Sequence, residues 1–139
     1  HPHMSSLDKA AIERELTTSS EAIESLTGEK VILFRPPFGD YNDLLLKTCA
    51  EKGLYAIQWD VDSLDWKDLS AREIADRIIS RVKNGSIILC HNNAKHTLEA
   101  LPLVFSTLQN RGFKFVKISE LIYKENYVID GTGKQIQQN

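Results

Sequence analysis

Helical periodicity gives way again and again to short, continuous apolar runs along this chain, and no other feature narrows the fold so far. A first helix is predicted from about Leu7 to Leu26, with Ile12, Leu16, Ile23 and Leu26 on one face. Ser5 or Ser6 can cap it, Asp8 lies in the first turn, and Gly28 can close it. Val31–Phe34 then reads as a buried strand. Arg35-Pro36-Pro37-Phe38-Gly39 breaks both patterns and is a loop. A second helix covers about Asn42 to Lys52 and stops at Gly53. Leu54–Trp59 reads as a strand, and Asp60–Lys67 as a polar loop. Ser70 and Glu73 form a capping box that opens a helix carrying Ile74, Ile78, Ile79 and Val82. Ser86–Cys90 is a strand that delivers His91 at its end. Thr97 can cap a helix to about Arg111, Phe113–Lys117 is the last strand, and a short helix follows near Ser119–Tyr123.

Regular alternation with short connections implies the α/β class, a parallel sheet with helices packed on it. The strands are apolar throughout, as in strands buried on both faces. A length of 139 residues fits one domain, and 42% apolar with 26% charged residues is a globular composition. We divide it into residues 1–123 and a polar, irregular tail, 124–139. A formal net charge of −2 disfavours a nucleic-acid partner, which needs a clustered basic surface. No apolar run approaches the ~18–20 residues of a membrane span. The chain opens His-Pro-His-Met, without a signal-peptide pattern. Two cysteines are too few for a disulfide framework, and the apolar settings of Cys49 and Cys90 favour inert buried thiols.

In parallel α/β folds chemistry gathers at the C-terminal ends of strands. Three polar groups fall there: Arg35; Asp60, Asp62, Asp65 and Trp66; and His91-Asn92-Asn93. An arginine, paired carboxylates and a histidine on one rim can supply a charge clamp and a general acid or base. Each residue also has a structural use. Arg35 can be an ordinary surface arginine, the aspartates can serve turns and caps, and Trp66 can be a core aromatic. His91 is the strongest single candidate, since a strand-end histidine can titrate near neutrality. His96 has no nameable partner. His1 and His3 can be metal ligands, frayed terminal residues or a cloning remnant.

Taken together, the motifs resemble the NodB-homology polysaccharide deacetylases, carbohydrate esterase family 4, over nearly the whole chain. Arg35-Pro36-Pro37-Phe38 resembles the family's Arg-x-Pro-Tyr/Phe motif, Asp62-Ser63-Leu64-Asp65-Trp66 its Asp-x-x-Asp-Trp motif, and Leu89-Cys90-His91 its Leu-x-His motif. The stretch from Cys90 to Lys95 and the ending Asp130–Gln135 look closest to sporulation-type deacetylases. The family's Thr-Phe-Asp-Asp motif, which holds the base and a metal ligand, is absent from these residues. Of its His-Ser/Thr-x-x-His motif only the last residue can be present, as His1 followed by Pro2. The resemblance thus implies the C-terminal part of a deacetylase domain, a partial, distorted (β/α) barrel lacking its first strands.

It also implies roles. His91 is the acid that protonates the departing amine, and Asp62 holds and charge-stabilises its imidazole. Arg35 orients the base, the Phe38 N–H faces the oxyanion, and Leu89 and Trp66 wall the acetyl pocket. His1 is one ligand of a divalent metal, zinc by the family pattern, which polarises the carbonyl in the complete domain. One histidine cannot hold that metal, so this chain alone is expected to be inactive. The implied partner is a polysaccharide such as peptidoglycan or chitin, outside the cell or in its envelope. A sheet lacking its first strands exposes an edge that can pair with a second copy as a homodimer or strand-swapped assembly. A non-catalytic carbohydrate-binding or structural module on the same fold is the alternative.

Overall fold

In the computed structural model, which describes residues 1–138, three helices start where short polar side chains satisfy free backbone donors. Helix α1 (Lys9–Thr27) is capped by Asp8, whose carboxylate accepts the Ala11 N–H at 2.8 Å, and ends at Gly28 with φ 72°. Ser5, one of the expected caps, lies in a separate 3-10 turn, Met4–Ser6, and donates through its N–H and hydroxyl to Asp40. Asn42 caps α2 (Asp43–Glu51) by accepting the Leu45 N–H. Both arms of the Ser70–Glu73 capping box form at the start of α3 (Ala71–Arg81). Helices α4 (Thr97–Asn110) and α5 (Ile118–Leu121) complete the set.

Strand β1 (Leu33–Phe34) pairs in parallel with β2 (Tyr55–Ala56), Leu33 opposite Tyr55. Strand β3 (Val61–Asp62) pairs in parallel with β4 (Ile88–Leu89), Asp62 opposite Leu89. The chain divides into two compact units: His1–Gln58 with the segment from Lys124 onward, and Trp59–Tyr123. The first has a core of Met4, Ile12, Leu16, Leu45, Cys49 and Leu54. The second packs Val61, Ile74, Ala75, Ile78, Ala100, Val104 and Leu108. Ile23 and Leu26 share the predicted face of α1 but are exposed, because the core that buries Ile12 and Leu16 covers only the N-terminal half of that helix.

Three elements differ from expectation. Among the described residues no strand forms over 113–117. The Phe113 N–H closes the end of α4 on the Leu108 carbonyl, and Phe115 packs edge-on against Phe105 of that helix at 4.9 Å. The apolar run is spent on a helix end instead of a ladder. The stretch read as a polar loop, 60–67, contains β3. The Asp60 carboxylate accepts the Ile87 N–H and the Ser86 hydroxyl, each at 2.8 Å, which fastens this segment to the strand ahead of it. Finally, the irregular tail is a hairpin: β5 (Tyr127–Ile129) pairs antiparallel with β6 (Gln135–Gln137).

Asp130 builds the turn of that hairpin, accepting from the Thr132 N–H, the Thr132 hydroxyl and the Lys134 N–H. Gly133 follows with φ 84°, and a Cβ there would stand 2.6 Å from Gln58 Cγ. Gln58 in turn donates from Nε2 to the Gly39 carbonyl at 2.7 Å, and the Tyr41 hydroxyl donates to the Asp130 carbonyl. The hairpin is therefore seated on the loop after β1. Gly133→Ala is expected to destabilise the protein by about 2 kcal/mol or more, from left-handed backbone plus overpacking. Gly131→Ala, with nothing within 4 Å of the added methyl, should leave the urea midpoint almost unchanged. Equal midpoints for the two variants would show that the hairpin is not seated on Gln58.

Candidate functional site

In the second unit, β3 ends at Asp62 and the chain turns sharply. Asp62 accepts the Leu64 N–H at 2.9 Å, Leu64 adopts left-handed backbone at φ 54°, and the Ser63 hydroxyl accepts the Asp65 N–H at 3.3 Å. This turn sends Asp65 inward at the start of a 3-10 helix, Asp65–Lys67. His91 lies just past β4. Asp65 Oδ1 meets His91 Nδ1 at 2.7 Å, while Oδ2 accepts the His91 main-chain N–H at 2.8 Å and the Thr97 hydroxyl at 2.7 Å. The Asp65 side chain is 0% exposed and that of His91 40%. The pair therefore joins a buried charge to an accessible ring. Burial pushes the Asp65 carboxyl up, but the hydrogen bonds from the His91 main chain, Thr97, the His91 ring and Ser63 outweigh it and hold the carboxyl below its usual range.

The carboxylate on the His91 ring is thus Asp65 and not Asp62, which corrects the assignment drawn from the motif. Asp62 spends Oδ1 on its own turn, and its carbonyl accepts from Arg77 Nε at 2.7 Å. Asp-x-x-Asp-Trp contains both carboxylates, and spacing alone cannot rank them. The sequence reading also missed Thr97, taken as a helix cap. The residue in the cap position is His96, and the Thr97 hydroxyl goes to Asp65. His96 has a partner after all, its Nδ1 lying 3.3 Å from Glu99 Oε2. Trp66 is 57% exposed, with Lys67 Nζ 5.1 Å from its ring centroid. Leu89 is half-buried at the end of β4, and its carbonyl accepts the Ser63 N–H.

In the first unit, Arg35 follows β1, and burial draws its guanidinium below the usual value. Phe38 sits in the 3-10 turn Pro37–Gly39 with left-handed backbone, φ 60° and ψ 7°, and its ring is 67% exposed. Bulky residues rarely hold such backbone unless their surroundings fix it. The His3 ring stacks on Phe38 at 4.7 Å, and the His1 ring meets it edge-on at 6.5 Å. His3 Nδ1 also lies 3.7 Å from Asp40 Oδ2. Among the described residues no three His, Cys, Asp or Glu side chains cluster so as to hold a metal ion. His1 alone therefore does not make a catalytic metal centre, which takes about three protein ligands. Burial pushes the Cys49 thiol up to about 11 and raises that of Cys90, so neither is an activated nucleophile.

Comparison with known proteins gives consistent matches. A family model described as polysaccharide deacetylase matches residues 1–57. The peptidoglycan N-acetylglucosamine deacetylase PgdA of Listeria monocytogenes is 31% identical over 135 residues, covering 97% of this chain and 28% of that protein. A family 4 carbohydrate esterase from Streptomyces lividans, solved with acetate, matches with TM-score 0.80 and 34% identity over 100% of this chain and 67% of that one. A carbohydrate esterase family 4 pseudoenzyme from Bacillus anthracis matches with TM-score 0.82 and 32% identity over 87% of this chain and 43% of that one. The chain thus spans between 28% and 67% of the proteins it resembles here.

Asp65→Asn is expected to destabilise the protein by about 1–3 kcal/mol for each donor left poorly paired, and Asp62→Asn by less than about 1 kcal/mol. Because the folded Asp65 carboxyl lies below its unfolded value, its contribution is full above about pH 4 and is lost as pH falls through the folded value. Urea unfolding from pH 7 to pH 3 should therefore show an acid loss of stability that shrinks in Asp65→Asn and persists in Asp62→Asn.

Proposed function

The chain belongs to the polysaccharide deacetylases of carbohydrate esterase family 4, a family of hydrolases, and from that premise we propose that its protein removes acetyl groups from N-acetylhexosamine residues of a cell-wall polysaccharide. The parallel pairs β1–β2 and β3–β4, with their helices, are units of that family's (β/α) barrel. The contact that carries the proposal is Asp65 on His91 at 2.7 Å. An amide has a poor leaving group, so C–N cleavage needs a proton delivered to nitrogen as water oxygen bonds to the carbonyl carbon. His91 gives that proton from Nε2 while Asp65 holds Nδ1 and balances the imidazolium. The products are acetate and a free amine.

Arg35 orients the carboxylate base, and the Phe38 N–H donates to the developing oxyanion. Trp66 and Leu89 line the path of the acetyl group. His1 would be one ligand of a divalent metal, zinc by family resemblance, which would supply Lewis-acid polarisation of the carbonyl, and His1 alone does not make its site. Neither the base motif nor the other ligands are among these residues, so the chain by itself is expected to release no acetate. The substrate class places the work outside the cell or in its envelope. A second reading, a carbohydrate-binding module without turnover, draws on the likeness to a pseudoenzyme.

The test is acetate release from N-acetylglucosamine oligomers and peptidoglycan by the whole protein. Release is expected, falling about 10²- to 10⁴-fold in His91→Ala, the usual share of a general acid. Binding of the polymer without release supports the module instead, and release that survives His91→Ala overturns the acid assignment. A sheet lacking its first strands would favour pairing with a second copy. Light scattering should then find a dimer, and a monodisperse monomer removes that proposal.

A further inference from the structure

We propose that Thr97 is a positioning residue, one that fixes which nitrogen of His91 carries the proton by holding the Asp65 carboxylate in one orientation and one charge state. Asp65 has two oxygens and three donors around them. The Thr97 hydroxyl at 2.7 Å and the His91 main-chain N–H at 2.8 Å both converge on Oδ2. That leaves Oδ1 for the His91 ring, at 2.7 Å. Two donors on one oxygen, from different segments of chain, pin the carboxylate plane. The third must then be Nδ1–H, because an ionised carboxylate only accepts. The neutral ring is thereby the Nδ1–H tautomer, and Nε2 is the nitrogen free to take up and release a proton.

The alternative is a protonated Asp65 that donates to Nδ1 and drives the ring proton to Nε2. Thr97 works against it in a specific way. Its side chain is buried with that of Asp65. A hydroxyl that donates to Oδ2 stabilises the ionised form where water cannot. Thr97 is also the first residue of α4, one position past the cap residue His96. Here no side-chain cap bond forms at that end. The Thr97 hydroxyl goes to the carboxylate and not to the helix. Ser63 acts on the other flank, accepting the Asp65 main-chain N–H and fixing the backbone from which the carboxylate projects.

The inference rests on the deacetylase reading only for the use made of Nε2, since the tautomer is a property of the ring with or without turnover. The experiment is ¹⁵N NMR of the His91 ring in this chain, at a pH where the ring is neutral. Wild type is expected to show Nδ1 as the protonated nitrogen and Nε2 as the bare one. Thr97→Val keeps the shape and removes the donor. It should lower the Nδ1–H to Nε2–H ratio about tenfold, the size of one hydrogen bond to a charged group. Thr97→Ser restores the donor and should restore the ratio. Amide spectra report whether each variant is folded; if the valine variant is not, Thr97→Ala carries the same comparison. A wild-type ring protonated at Nε2 overturns the proposal without any variant. So does a folded Thr97→Val or Thr97→Ala protein with wild-type ring shifts. Acetate release is read separately, so the tautomer can hold while the enzymatic reading fails, and the reverse.

Discussion

Asp65 carries a negative charge into the interior of the second unit, and the chain from β3 to α4 is arranged around the cost of keeping it there. An unpaired carboxylate in such a place would neutralise or unfold its surroundings. The left-handed turn at Leu64, the hydroxyl of Ser63, the His91 main-chain N–H just past β4 and the first residue of α4 each supply a constraint or a donor. These come from separate parts of the sequence, so satisfying one carboxylate ties β3, β4 and α4 into one arrangement. His91 gains its orientation from the same bonds. Stability and ring placement are thus two results of a single desolvated charge, and a substitution there cannot change one alone.

The first unit follows a different rule. It holds an awkward backbone at an exposed side chain. Phe38, bulky and exposed, takes a left-handed conformation that few side chains tolerate. Its neighbours make that conformation hold. The Asp40 N–H returns to the Pro37 carbonyl, the Gly39 carbonyl is held by Gln58, and His3 lies flat on the ring. Strain of this kind persists only where the surroundings over-determine it, and such places cluster where a backbone amide has a task.

Much of this was legible in the sequence because local chemistry decides it. Capping at Ser70 and Glu73, the stop at Gly28 and the breaking of pattern at Pro36-Pro37 depend on neighbours a few residues away. The alternation that set the α/β class is equally local. What could not be read depends on distant groups. Asp62 and Asp65 are the same residue type three positions apart, and only the fold of Leu64 shows which one turns inward. Thr97 looks like a cap until a buried carboxylate competes for its hydroxyl. Phe113–Lys117 has the composition of a strand, yet α4 claims its first residue. The hairpin after Lys124 was hidden by its polarity, because its turn is built from one Asp and two glycines with little apolar alternation to announce it.

The contact of Gly133 with Gln58 bears on the order in which the protein is made. The first unit is discontinuous in sequence: the second unit is spelled out between its two parts. During synthesis Tyr41 and Gln58 leave the ribosome well before the hairpin that seats against them. The second unit, contiguous in sequence, has everything it needs as soon as Tyr123 has emerged. The middle segment can therefore close on itself before the two flanking parts of the first unit meet at Gln58 and Gly133.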